Sequence, residues 1–134
     1  MNKRLLQEWS FISFSASQYS EQRRYFKSDS TMQGPVRHIV MWRVRGDTPE
    51  QRQAARLKVK AAFESLRGRI EGMTHMEIGL DISEVDYACD VVLVTEFSRL
   101  EDLKSYADHP EHLRVRAELG DLRITRHQVD YPAQ

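Results

Sequence analysis

Cysteine is almost missing from this chain: Cys89 is the only one in 134 residues. No internal disulfide can form, and a reducing cytoplasm is the expected setting. Net charge is missing as well, with 20 Lys+Arg against 20 Asp+Glu. The charges are interspersed, so no field draws in nucleic acid or an acidic membrane. No apolar run approaches the roughly 20 residues of a membrane span. Clustered metal ligands are scarce too. His109 and His112 stand three apart, but Pro110 pushes His109 out of helical geometry, and no Cys or carboxylate pair adds ligands. Neither a metal nor a cofactor is expected. Cys89 has no Lys, Arg or His beside it, and its neighbour Asp90 disfavours a thiolate, so it reads as a buried or edge-strand thiol.

What is present begins with a leader. Residues 1–35 hold no sustained period, and Ser15 to Pro35 is rich in Ser, Gln and charge. A flexible N-terminal extension is expected, with a short helix near Leu5–Ile12. Lys3 and Arg4 before Leu5-Leu6 hint at a secretory signal, but Gln7, Glu8 and Ser10 break its apolar core. Arg23, Arg24 and Lys27 with Tyr19, Tyr25 and Phe26 hint at a nucleic-acid arm, which Glu21 and Asp29 dilute. The functional domain is expected to begin at about Met32.

From Val36 the chain alternates. His38, Val40, Trp42 and Val44 oppose Arg37, Ile39, Met41 and Arg43, the period of a strand. Thr48-Pro-Glu-Gln51 then opens a helix with a capping box and a proline at its first position. Ala55, Val59, Ala62, Phe63, Leu66 and Ile70 give that helix one apolar face, and Gly68 is its expected stop. A second strand is expected over Met73–Ile82, and a third near Cys89–Phe97. The third is apolar on both faces at Val91-Val-Leu-Val94 and therefore central. Ser98-Arg-Leu-Glu101 reads as a second capping box, opening a short helix with Leu100, Leu103 and Tyr106 on one side. Pro110 restarts the chain as a helix ending at Gly120, and a last strand follows over about 122–131. The order β-α-β-β-α-β is the ferredoxin-like α+β arrangement, a four-stranded antiparallel sheet with helices on one face. The predicted domain spans 36–131, with 132–134 as a tail.

The two-sided strands have a consequence. If helices cover the face of His38, Val40 and Trp42, then Ile39, Met41, Val92 and Val94 form an uncovered apolar patch. A homodimer packed sheet to sheet is the expected cover.

His38-Ile-Val-Met-Trp42, Gly72-Met…Gly79, Asp90-Val-Val-Leu-Val-Thr-Glu-Phe97, Tyr106-Ala-Asp-His-Pro-Glu-His112 and Val129-Asp-Tyr131 resemble the stress-responsive α/β-barrel domain family over about 36–131. The resemblance implies a ferredoxin-like protomer, a dimeric barrel, and stress-associated or unassigned roles for most members. A plant branch includes polyketide cyclases, whose acid–base residues would fall on Tyr106 and His112, with His38 nearby. A related monooxygenase family shares the barrel, so cofactor-free oxidation stays open by analogy.

On their own chemistry, His112 as base and Tyr106 as hydrogen-bond donor suit an aldol cyclisation or isomerisation, with His38 assisting. The plainer role for such a pair is structural: a buried His and Tyr bonding each other or a backbone carbonyl at the Pro110 break. The expected pocket is lined by Val40, Trp42, Phe63, Leu93, Val115 and Leu119. Its expected occupant is a small hydrophobic or mixed-polarity molecule, although the Trp42 indole takes up room there. Arg126 and Gln128, or else Thr125, His127 and Val129, face it from the last strand. Three roles therefore stand: a homodimeric domain of unassigned role that binds a small organic molecule, a cofactor-free cyclase or isomerase, and a purely structural stress protein.

Overall fold

A computed structural model describes residues 34–133. The expected leader, its short helix, the signal-like start and the basic arm lie outside the described residues, apart from Gly34 and Pro35. The elements are β1 (Val36–Val44), α1 (Pro49–Glu64), β2 (Met73–Leu80), β3 (Val91–Phe97), α2 (Leu100–Ala107), α3 (Pro110–Leu119) and β4 (Arg123–Pro132). The four strands form one antiparallel sheet in the order β2-β3-β1-β4, the ferredoxin-like order. β1 and β3 are central, as their apolar faces require.

Burial alternates along both central strands. Val36, His38, Val40, Trp42 and Val44 are buried on β1, as are Val91, Leu93, Thr95 and Phe97 on β3. All three helices cover this face. Val59 and Phe63 of α1, Leu103 and Tyr106 of α2, and Val115 and Leu119 of α3 complete the core. The Trp42 and Phe63 rings stack at 4.9 Å and 18°.

Several boundaries differ from those expected, each for a local reason. α1 carries the full Thr48/Gln51 capping box but stops at Glu64. Beyond it, Leu66, Arg67 and Arg69 N–H groups each bond the carbonyl three residues back, a tighter winding that still buries Leu66 and Ile70. The apolar period thus outlasts the helix. β2 ends at Leu80 because the Asp81 carboxylate accepts from the Ser83 hydroxyl and the Glu84 N–H, an Asx-type turn that leaves Ile82 exposed. Thr74 departs from the buried face of β2 at a register shift between Met73 and His75. The second capping box does not form. The Ser98 hydroxyl donates to the Gly72 carbonyl at 3.1 Å, and Arg99 becomes an N-cap without a side-chain bond. β3 starts at Val91, and Asp90 just before it acts as a clamp. Its carboxylate accepts from Arg56 Nη2 at 2.6 Å and from the Val44 N–H at 2.9 Å.

Candidate functional site

Between the β1 and β4 half of the sheet and the α2–α3 corner lies a cavity of about 70 Å3. It is lined by His38, Val40, Trp42, Phe63, Leu93, Tyr106, Ala107, His112, Arg116, Arg123 and Arg126. The structure thus brings the three candidate catalytic residues to one place. Of the six expected lining residues, Val40, Trp42, Phe63 and Leu93 line it, whereas Val115 and Leu119 are buried in the core beside it. They share the helical stripe of His112, but their short side chains are spent on packing.

Each polar group is held by its element. Pro110 sits at the first position of α3, and His109 caps that helix by accepting the Glu111 N–H on Nδ1 at 3.0 Å. His112 follows one turn in. Its Nδ1 lies 3.1 Å from the Ala107 carbonyl, which can only accept, so Nδ1 carries the proton and Nε2 the lone pair. The His112 ring packs on Tyr106 at 4.4 Å between centroids. Burial, together with the positive charges of Arg116, Arg126 and Arg123, pushes the His112 pKa down to about 4, against the opposing bond to Ala107. His112 is therefore a neutral imidazole at pH 7 and a weak base.

His38 is 5% exposed and stands on the helix-facing side of β1. Its Nδ1 donates to the Asp130 carboxylate at 2.5 Å, and Gln128 Nε2 donates to the other Asp130 oxygen at 2.8 Å. The His38 ring meets Tyr106 edge-on at 6.2 Å. Tyr106 is buried, its hydroxyl has no hydrogen-bond partner, and burial raises its pKa well above the phenol range. The indole Nε1 of Trp42 and the Nε of Arg123 are likewise buried and unpartnered.

Of the cationic wall, the sequence displayed only Arg126, in one of two possible facings of the last strand; Arg123 and Arg116 were not legible. Strict alternation would set Arg123 and Arg126 on opposite faces of β4. A register shift between Arg43 and Val44 pairs Arg123 with Val44 and Arg126 with Trp42, so both face inward. The same register settles the facing of β4: Gln128 and Asp130 turn toward the helices, while Thr125, His127 and Val129 lie on the open face. The Arg123 guanidinium lies 5.3 Å from the Trp42 ring centroid and 5.8 Å from that of Phe63. Burial draws its pKa down to about 10 and lowers that of Arg126. Arg116 joins from α3, one turn beyond His112. Asp130 was visible only as part of the Val129-Asp-Tyr131 resemblance.

Among the described residues, no helix is long and apolar enough to cross a membrane, and no group of His, Cys, Asp and Glu is placed to hold a metal ion. Burial raises the Cys89 thiol pKa, helped by Asp90, so it is not an activated nucleophile.

Residues 36–133 match the model of the stress responsive A/B barrel domain. No curated protein matches the chain. Among solved structures, a dimeric protein of unknown function with a ferredoxin-like fold from Bacteroides fragilis is 34% identical. It has a TM-score of 0.66, over 76% of this chain and 99% of that one. A dimeric ferredoxin-like protein of unknown function from Thermobifida fusca is 23% identical, with a TM-score of 0.63 over 76% and 94%. The hydroxynitrile lyase of Passiflora edulis is 17% identical, with a TM-score of 0.63 over 76% and 95%. At these identities the last two speak to the fold alone.

Proposed function

The chain belongs to the stress responsive A/B barrel domain family, and from that premise we propose a homodimer that binds a small organic molecule in the Tyr106 cavity. The observation that carries this reading is the unpartnered Tyr106 hydroxyl. A buried donor left without an acceptor costs roughly 1–3 kcal/mol, and a ligand oxygen in the cavity would supply one. At about 70 Å3 the cavity suits a ligand of few heavy atoms and is well below the roughly 300 Å3 of a drug-sized site. Trp42, stacked on Phe63, sets that limit. The dimer would pack through Ile39, Met41, Val92 and Val94. The setting we propose is a reducing cytoplasm, in keeping with a lone half-buried thiol.

A second reading, cofactor-free proton transfer beside a carbonyl, is favoured by the bond between His38 and Asp130. A carboxylate that accepts from one ring nitrogen orients the imidazole and leaves the lone pair on the other. That orientation gives His38 the role of base here, since His112, with a pKa of about 4, is a weak one. Tyr106 would then hydrogen-bond the developing enolate. One experiment separates these readings from the purely structural one. Acetone and cyclopentanone are followed by ligand-observed NMR in D2O with wild type and with Ala107→Phe, which crowds the exposed rim. Line broadening by wild type but not by Ala107→Phe supports binding. Deuterium uptake beside the carbonyl that is lost in His38→Asn supports catalysis. Neither effect would leave the structural role.

A further inference from the structure

Resting on that reading of the cavity, we propose that its ligand is a small carboxylate with a short apolar tail, held by Arg123, Arg126 and Arg116. Three guanidinium-bearing side chains from two elements line a single cavity of about 70 Å3. The bulge in β4 is what brings two of them inward, at the expense of regular pairing. Asp130 accepts from His38 and Gln128 and also attracts Arg126, which leaves one carboxylate beside three guanidinium groups.

Donors outnumber acceptors here. Arg123 Nε, Tyr106 Oη and Trp42 Nε1 are all buried without a partner, and each can donate a hydrogen bond. A ligand that completes the site must bring acceptor oxygens and negative charge. The planar guanidinium matches a carboxylate in two parallel hydrogen bonds. Burial and mutual repulsion depress the Arg123 pKa, and an anion would relieve that repulsion. The remaining wall, formed by Val40, Leu93 and the Trp42–Phe63 stack, is apolar and suits a short hydrocarbon tail rather than a bare inorganic ion.

The test is titration of the full chain at pH 7 with propionate, propionamide and inorganic phosphate, followed by protein NMR shifts of the cavity residues. The acid and amide share size and shape and differ in charge. Propionate is expected to bind in roughly the millimolar range, fitting a ligand of about five heavy atoms. Propionamide and phosphate should bind at least tenfold more weakly. Arg123→Gln should abolish the preference for acid over amide. Arg116→Gln, half-buried at the rim, tests the same point if the buried change prevents folding. Equal binding of acid and amide would overturn the carboxylate assignment and leave the small-molecule reading standing. Phosphate binding as tightly as propionate would overturn the organic tail. If none of the three binds while the ketones do, the carboxylate falls alone; if the ketones fail as well, both readings fall.

Discussion

His112 shows how one side chain can serve the fold and still face a cavity. Its Nδ1 proton closes the break between α2 and α3 by bonding the Ala107 carbonyl, and its ring packs on Tyr106. Removing it by His112→Ala should cost roughly 1–3 kcal/mol at pH 7 and lower the melting midpoint by several degrees. The same residue links stability to pH. Its folded pKa is lowered to about 4 from an ordinary value of 6.5. Between those values the unfolded chain binds the proton and the folded chain does not. Stability from this group is therefore complete above about pH 6.5 and is lost as pH falls toward 4, by up to roughly 3 kcal/mol. Denaturant melts of wild type and His112→Ala at pH 7, 5.5 and 4 should show the gap between them narrowing as pH falls. A constant gap would mean that His112 is not held neutral by the fold. At this scale the sequence displayed Tyr106, His112 and His38 as chemically capable, and they do converge. It did not display Asp130 or Arg123. An aspartate 92 positions from its histidine is placed by strand register, and an arginine in a polar strand reads as surface charge until a bulge turns it inward.

The elements meet at a junction fixed by glycine. Gly72 precedes β2 with φ of 84°, and its carbonyl accepts both the N–H and the hydroxyl of Ser98 at the entry to α2. A Cβ at Gly72 would overlap the Asp102 side chain. Gly68 has a similar φ of 76° in the turn after α1, with open space where its Cβ would be. Gly68→Ala should therefore cost about 1–2 kcal/mol from backbone strain alone. Gly72→Ala adds a collision to the same strain and should destabilise by clearly more. Comparable midpoints for the two variants in a urea series would show that Asp102 moves aside freely. The element order, the central strands and the first capping box were legible because each is written locally, in alternation or in a four-residue signal. The second capping box was a false signal for the same reason. Ser98 carries the right side chain at the right spacing, but the Gly72 carbonyl, 26 residues away, takes its hydroxyl. Local pattern carries no record of such a competitor.

At the scale of the whole molecule, the alternation of its strands gives one sheet two different faces. The inward side chains of β1 build the cavity, and the outward ones, Ile39 and Met41, stand beside Val92 and Val94 of β3 and Val129 of β4. Met41 is 38% exposed and Val129 59% in the single chain, an apolar strip on the middle of a sheet. Covering that strip with a second copy removes apolar surface from water twice over, which is the driving force for a two-fold dimer. Ile39 is the most informative position, because the register sets it between Val94 and Val129 at the centre of the strip. Wild type should run as a dimer by light scattering at micromolar concentration, and its melting midpoint should fall on dilution. Ile39→Asp places a charge where the partner's sheet would exclude water, so this variant should run as a monomer with a midpoint independent of concentration. Because Ile39 points away from the cavity, the monomer should keep whatever affinity the cavity has for propionate or ketones. If it lost that affinity, the partner would be supporting the site through the sheet. If wild type itself ran as a monomer, the open face would need another cover.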